Sequence, residues 1–255
     1  MNRSALSLLI LTLSVGTAWA QSPAGSAPPV NNPPSAAAAS SIPPPPAISA
    51  DSTPMELARA ALAAQGGEKF TNLKNMWLFG NVDLYAPNSA QPVPGKFSLI
   101  TAGEKMRLDV DASPAFKFKQ IYDGVQSFTS IPGVEMPPAN KFGLPVLAKY
   151  NQAGYTVSAL SNKKKLRGFR IVDAEGNTTD FYIDVTTGRV MQYLVPYHGY
   201  TFGIENSKFK EVDGVLVPVS FSQRLEMTQG AFFAEYKVKD IKLNQTLGDD
   251  VFSFQ

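Results

Sequence analysis

The chain has 255 residues, one histidine and no cysteine, and 23 Lys and Arg against 21 Asp and Glu give a formal net charge of +2. Without cysteine there is no disulfide framework, no thiol chemistry and no lipid-bearing N-terminal cysteine. A single histidine also leaves too few ligands for a usual zinc centre, and the near-neutral balance offers nucleic acid no electrostatic footprint.

Asn2 and Arg3 open the chain, an apolar run follows from Ala5 to Val15, and Ala18-Trp19-Ala20 sets small residues before Gln21. This pattern predicts a secretory signal peptide over residues 1–20, cleaved after Ala20. A membrane anchor is the other reading, but the run falls short of the roughly 20 residues that span a bilayer. Without Arg3 the charges stand at 22 against 21. Residues 21–52 are rich in Pro, Ala and Ser, as in SAPPVNNPPSAAAASSIPPPP. Such composition lacks the large apolar groups that offset the entropy of ordering. The segment reads as a disordered leader rather than a partner-docking tail, since no specific binding motif is apparent in it.

The remaining chain, 53–255, suits one domain. A helix opens it: Ser52 or Thr53 can cap, Pro54 suits the first turn, and Glu56 favours the N-terminal end. Met55, Leu57, Ala58, Ala61 and Leu62 share a face, and Gly66-Gly67 stops the helix. Period-two runs follow over Met76 to Tyr85, Lys96 to Thr101, Lys105 to Asp111, Phe116 to Tyr122 and Val125 to Ser130. Pro132, Pro137 and Pro138 rule out a central strand before Asn140. Leu144 to Tyr150 reads equally as a short helix or an irregular loop. Strands resume at Thr156 to Leu160, Leu166 to Asp173, Thr179 to Val185, Arg189 to Pro196, Thr201 to Val212, Val217 to Leu225 and Ala231 to Leu243. Asp123-Gly124, Thr187-Gly188 and Asp213-Gly214 supply turns. About ten sequential antiparallel strands are expected. A meander this long must curl, so the fold class is mainly β with a few helices: a strongly curved sheet or unclosed barrel, with helical pieces across its open side.

Catalytic chemistry finds little support. His198 lies between tyrosines at a turn, Gly-x-Ser-x-Gly is absent, and no phosphate-cradling glycine loop opens a helix. Asp249-Asp250 lacks calcium-loop spacing and reads as a solvated turn before a short apolar anchor. Lys163-Lys164-Lys165 with Arg167 and Arg170 forms a basic cluster; a charged loop that protects a strand edge accounts for it better than a lipid phosphate site. A non-enzyme is expected. What the chain holds in quantity is large apolar side chains, with 16 Phe and 9 Tyr, all within the folded part.

IDVTTGRVMQYLV (Ile183 to Val195), FKEVDGVLVPVSFSQRL (Phe209 to Leu225) and VKDIKLNQTLGDDVFSF (Val238 to Phe254) together carry a cadence of strand, Asp-x-x-Thr-Gly turn, Val-Asp-Gly-x-x-x-Pro strand and closing Asn-x-x-Leu-x-Asp-x-x-Phe. This cadence resembles the LolA and LolB-like periplasmic carriers of lipoproteins. Ala-Leu-Ala-Ala-Gln-Gly-Gly and Leu73-Lys74-Asn75-Met76 fit the superfamily's first helix and strand. The resemblance covers most of residues 54 to 254, and its motifs are structural rather than catalytic.

The resemblance implies an unclosed barrel with a helical lid, a hydrophobic cavity for acyl chains, a periplasmic location and no cofactor. It implies an acylated lipoprotein or lipid as partner, exchanged with inner- or outer-membrane components by a monomer. The strand residues expected to face that cavity are Phe97, Leu99, Met106, Leu108, Phe116, Phe118, Phe181, Phe202, Phe221 and Phe232; for any one of them an ordinary core position is the simpler reading. Carriers of this class use arginine contacts that help close the lid. Arg107 is the candidate, and it reads equally as an exposed strand residue. A non-enzymatic envelope interaction module with a filled core is the alternative.

Overall fold

A computed structural model describes residues 40–87, 89–131, 136–227 and 230–254. The segment read as a signal peptide, and residues 21–39 of the linker, lie outside the described residues.

Helix α1 (Pro54–Gln65) begins where the capping residues predict. Thr53 Oγ1 accepts from Glu56 N at 3.3 Å, and Glu56 Oε2 accepts from Thr53 N at 2.7 Å, so each residue satisfies the other's free amide. At the far end Gly66 N donates to Ala63 O and Gly67 N to Leu62 O, both at 3.0 Å, which is a Schellman stop. Gly66 has φ +117°, and a Cβ there would lie 2.5 Å from Gly214 O, so the helix stop is also a close approach to the sheet. Leu57, Ala58 and Ala61 are buried as the helical pattern requires, but Met55 is 46 % exposed. Ala60 and Ala64 are buried instead, because the turn at Gly188 closes over a second side of the helix. A short α2 (Glu68–Thr71) follows.

Among the described residues twelve strands form a single antiparallel sheet, more than the meander estimate. They are β1 (Met76–Tyr85), β2 (Val93–Ala102), β3 (Lys105–Ala112), β4 (Phe116–Tyr122), β5 (Ser127–Thr129), β6 (Thr156–Lys163), β7 (Leu166–Val172), β8 (Thr178–Asp184), β9 (Val190–Tyr197), β10 (Tyr200–Val212), β11 (Val215–Met227) and β12 (Gly230–Leu243). Their order is β5-β4-β3-β2-β1-β12-β11-β10-β9-β8-β7-β6, so the pairing of β1 with β12 is the one non-sequential link. It joins an N-terminal wing, β1 to β5, to a C-terminal wing, β6 to β12. Strands β5 and β6 are the two edges, and the barrel stays unclosed.

Turn chemistry sets the register. Asp213 and Gly214 have φ +52° and +78°, and His198 and Gly199 have +48° and +81°, so both pairs carry the positive φ that two-residue hairpins favour. At the Thr-Thr-Gly turn, Asp184 Oδ1 accepts from Thr186 N, Thr187 N and Thr187 Oγ1 at 2.8 to 3.0 Å. Opposite Phe79 and Gly80 of β1 the register shifts by one, leaving Lys239 of β12 as the extra residue of a bulge, and a Cβ on Gly80 would sit 2.1 Å from Lys237 O.

One face of the sheet carries the helices and is called the inner face here. Between the edges, residues 136–150 run through a 3-10 turn (Ala139–Lys141) and a single-turn helix α3 (Leu144–Leu147), so the stretch left undecided by its sequence is one helical turn followed by irregular turns. On the outer face the C-terminal segment returns to the N-terminal wing. Asn75 and the Gln245 backbone exchange two bonds at 2.7 and 2.9 Å, and Phe252 packs with Ile100 and Ile121.

Candidate functional site

Strand pairing places every expected cavity residue on the inner face. Phe97 faces Val110, which faces Phe118; Leu99 faces Leu108; Phe116 faces Ala112. In the other wing Phe221 faces Tyr236, Phe202 faces Val195, and Phe181 lies between Phe169 and Tyr193. Period-two alternation read correctly in one strand therefore propagates through the ladder to its neighbours.

Depth separates them. At the end where β1 finishes and β2 begins, Val93, Phe116 and Phe232 are 36 %, 38 % and 42 % exposed. Beneath this rim Leu84, Phe118 and Phe221 are half-buried. Lower still, Val82, Phe97, Val110 and Tyr236 are buried, and Leu78, Leu108 and Val217 follow with Leu99 half-covered beside them. Met106 lies partly buried toward the opposite end. This apolar stretch of the inner face runs the length of β1, about 30 Å at a rise of ~3.3 Å per residue.

Aromatic rings line its middle. Phe97 meets Tyr236 edge-on at 4.9 Å, and Phe221 stacks on Tyr236 at 4.8 Å. Tyr236 OH lies 3.1 Å from Gln223 Oε1, to which it donates; burial pushes the phenol up, so it stays a neutral donor. A second polar group sits under the helices: Gln65, 1 % exposed at the end of α1, has no partner for either side-chain polar atom among the described residues.

The C-terminal wing differs. Phe169 and Phe181 stack at 5.1 Å with no exposure, covered by Leu57, Ala58 and Ala61 of α1 and by Val146, Leu147 and Tyr150 of the crossing segment. Gly143 N donates to Thr179 Oγ1 at 3.2 Å, which fixes α3 to β8. Met136 and Phe142 then pack with Val195 and Phe202, and half-buried Phe118 of the N-terminal wing joins them. The crossing segment thus touches both wings and roofs the space between them.

Arg107 is not at this roof. It projects from the outer face, where its Nε lies 2.6 Å from Asp109 Oδ2 and its Nη1 donates to Val251 O at 3.0 Å. It fastens the C-terminal segment. The same face of β2 to β4 bears a cavity of about 410 Å³ lined by Lys96, Ser98, Asp109, Asp111, Lys117 and Lys119, where Lys117 pairs with Asp111 at 3.3 Å. His198 is exposed at the β9–β10 turn and stacks on Tyr197 at 4.1 Å. Among the described residues no group of three or more His, Asp or Glu could hold a metal ion, and no helix is long and apolar enough to cross a membrane.

Sequence reasoning missed Val93, Leu84, Tyr236, Gln223 and Gln65. Val93 stands between prolines and reads as loop; Leu84, Tyr236 and Gln223 join the inner face only through the partners that strand pairing gives them, and the burial of Gln65 follows from how the end of α1 packs.

No family model and no curated protein matches the chain. Solved structures do. A LolA superfamily protein from Nitrosomonas europaea superposes with a TM-score of 0.51 at 12% identity, covering 79% of this chain and 98% of that one. A putative outer membrane lipoprotein-sorting protein domain from Vibrio parahaemolyticus gives 0.46 at 10% identity, over 77% and 97% of the two chains. A DUF1329 family protein from Desulfovibrio piger gives 0.44 at 9% identity, over 79% and 96%. The chain therefore has a LolA-like fold.

Proposed function

We propose that the chain is a periplasmic carrier or binding protein for an acylated ligand, a lipid or a lipoprotein, which it holds in a trough along the inner face of β1 to β4 with β11 and β12. The observation that carries this reading is the graded inner face: exposed apolar side chains at Val93, Phe116 and Phe232 continue without a charged residue into the aromatic interior around Phe97 and Tyr236. An acyl chain needs that arrangement. Each buried methylene contributes about 0.8 kcal/mol, so a long chain supplies ~10 kcal/mol before ordering costs. The crossing segment and α1 would act as the lid, and no covalent step is required. The LolA-like fold and the N-terminal pattern of a signal peptide support export and carriage together.

The test is native mass spectrometry of the protein purified from the cell envelope, followed by lipid extraction. A retained acylated species is expected. A clean ligand-free mass, with no uptake of added lipid or acylated peptide, would favour the second reading, a non-enzymatic interaction module. The fully packed C-terminal wing is the observation on that side.

A further inference from the structure

Residues 40–49 precede the domain as the sequence divides it, yet they lie along it in a regular way. Ile42, Pro45 and Ile48 are half-buried, while the residues between them are exposed. Burial that recurs every third residue through Pro43-Pro44-Pro45-Pro46 is the period of a polyproline II helix resting on one edge. Each contact is specific. Ser40 Oγ donates to Glu211 Oε2 at 2.5 Å, and Ser41 N and Oγ donate to Glu211 Oε1 at 2.7 and 2.5 Å. Pro45 reaches Gly188, where a Cβ would meet Pro45 Cβ, Ala64 Cβ and Ala60 O at 3.0 to 3.3 Å. Ile48 packs against the core beneath α1, and Arg167 donates to Ser49 O at 2.5 Å and Ser52 O at 3.1 Å.

The segment thus runs from β10 past the β8–β9 turn to β7, and then enters α1 at the Thr53 cap. At Gly188 the strap, the turn and the second buried side of α1 come together. We propose that residues 40–49 are a clasp, a polyproline strap that holds α1 against the sheet and sets how readily this helix lifts from the inner face. Proline suits the task, because a strap already extended loses little conformational entropy when it docks. The link to ligand exchange rests on the carrier reading above; the mechanical claim does not.

Hydrogen exchange on the full mature chain tests it, with no ligand added. Glu211→Ala removes the acceptor of three strap bonds from an exposed carboxylate. Pro44→Gly with Pro46→Gly changes only exposed residues and loosens the strap through entropy. We expect α1 amides from Leu57 to Gln65 to exchange about tenfold faster in the first variant, and about two- to fivefold faster in the second. Amides of the β8–β9 ladder should keep their wild-type rates in both. Unchanged α1 rates would overturn the clasp, and so would equal acceleration of α1 and the ladder, which would make the strap a general stabiliser. A fluorescent fatty acid then serves as the ligand probe. Faster uptake by the Glu211→Ala chain is expected if α1 gates the trough; a chain that binds no fatty acid at all sinks the carrier reading and leaves the exchange result standing.

Discussion

The two wings of the sheet solve the same problem differently. Both present an apolar inner face. The C-terminal wing buries Phe169, Phe181 and Ile183 completely beneath helices, whereas the N-terminal wing leaves Val93 and Phe116 exposed at the rim, with Phe232 beside them on β12. The helices explain the difference. The face of α1 that packs on β6 to β9 is mostly alanine, so it lies close, and α3 fills the remaining width. On the other side Phe70 and Leu73, from α2 and just after it, join the inner-face cluster, and Met136 and Phe142 reach Phe118. An inner face of uniform apolar character is thus fully covered over β6 to β9 and left partly exposed at the rim of β1 and β2, according to where its few helical residues fall.

The sharpest test of this contrast is Phe181→Ala, which opens a cavity under α1 and should cost about 3–5 kcal/mol in urea unfolding, against less than about 1 kcal/mol for Phe116→Ala at the rim. Equal losses would erase the distinction between wings. Next comes Gly188→Ala. Its positive φ and the crowding by Ala60, Ala64 and Pro45 predict a loss of about 1–3 kcal/mol, read from the same denaturation curves.

Gln65→Leu works in the other direction. It removes an unpartnered buried amide and should stabilise the ligand-free chain by about 1 kcal/mol; a loss instead would mean that a bound molecule or water holds the amide in place. Phe116→Ser combined with Phe232→Ser should leave stability within about 0.5 kcal/mol while weakening fatty-acid binding severalfold by fluorescence titration. Retained affinity would move the ligand away from this rim.

The smallest effect is on the strap. Hydrogen bonds from Ser40 and Ser41, with Lys69 nearby, hold the Glu211 carboxyl below its usual range. Because the docked pKa is the lower one, the contribution is complete above the ordinary carboxylate range and is lost as pH falls through the docked value. Protection of the Ser41 amide, measured by exchange, should accordingly hold at neutral pH and fade as pH falls below the ordinary carboxylate range. Constant protection would show that proline packing alone holds the strap.

Much of this architecture is legible residue by residue. Thr53, Glu56 and Gly66 mark α1 to within a residue, because caps act locally. Asp213-Gly214 and the Asp184 turn announce hairpins for the same reason. The shared face of Phe97, Leu108, Phe118, Phe181 and Phe221 was legible from alternation within each strand, and pairing put them side by side. The depth of each was not legible. Phe116 and Phe181 look alike in sequence, but one meets solvent at a rim and the other lies under α1. Gln65 looks like an ordinary helix residue, and Arg107 like either a lid contact or a surface charge, until the C-terminal segment is found beside it.

By itself, the sequence determined the strand periods, the turns that set their register and the limits of the first helix, because these depend on neighbours a few residues apart. Tertiary structure alone decided which half of the inner face is filled, where Arg107 reaches and how the proline strap meets α1. Those outcomes depend on contacts between segments more than a hundred residues apart, such as Ser41 with Glu211 and Arg107 with Val251, and local pattern carries no information about such distances.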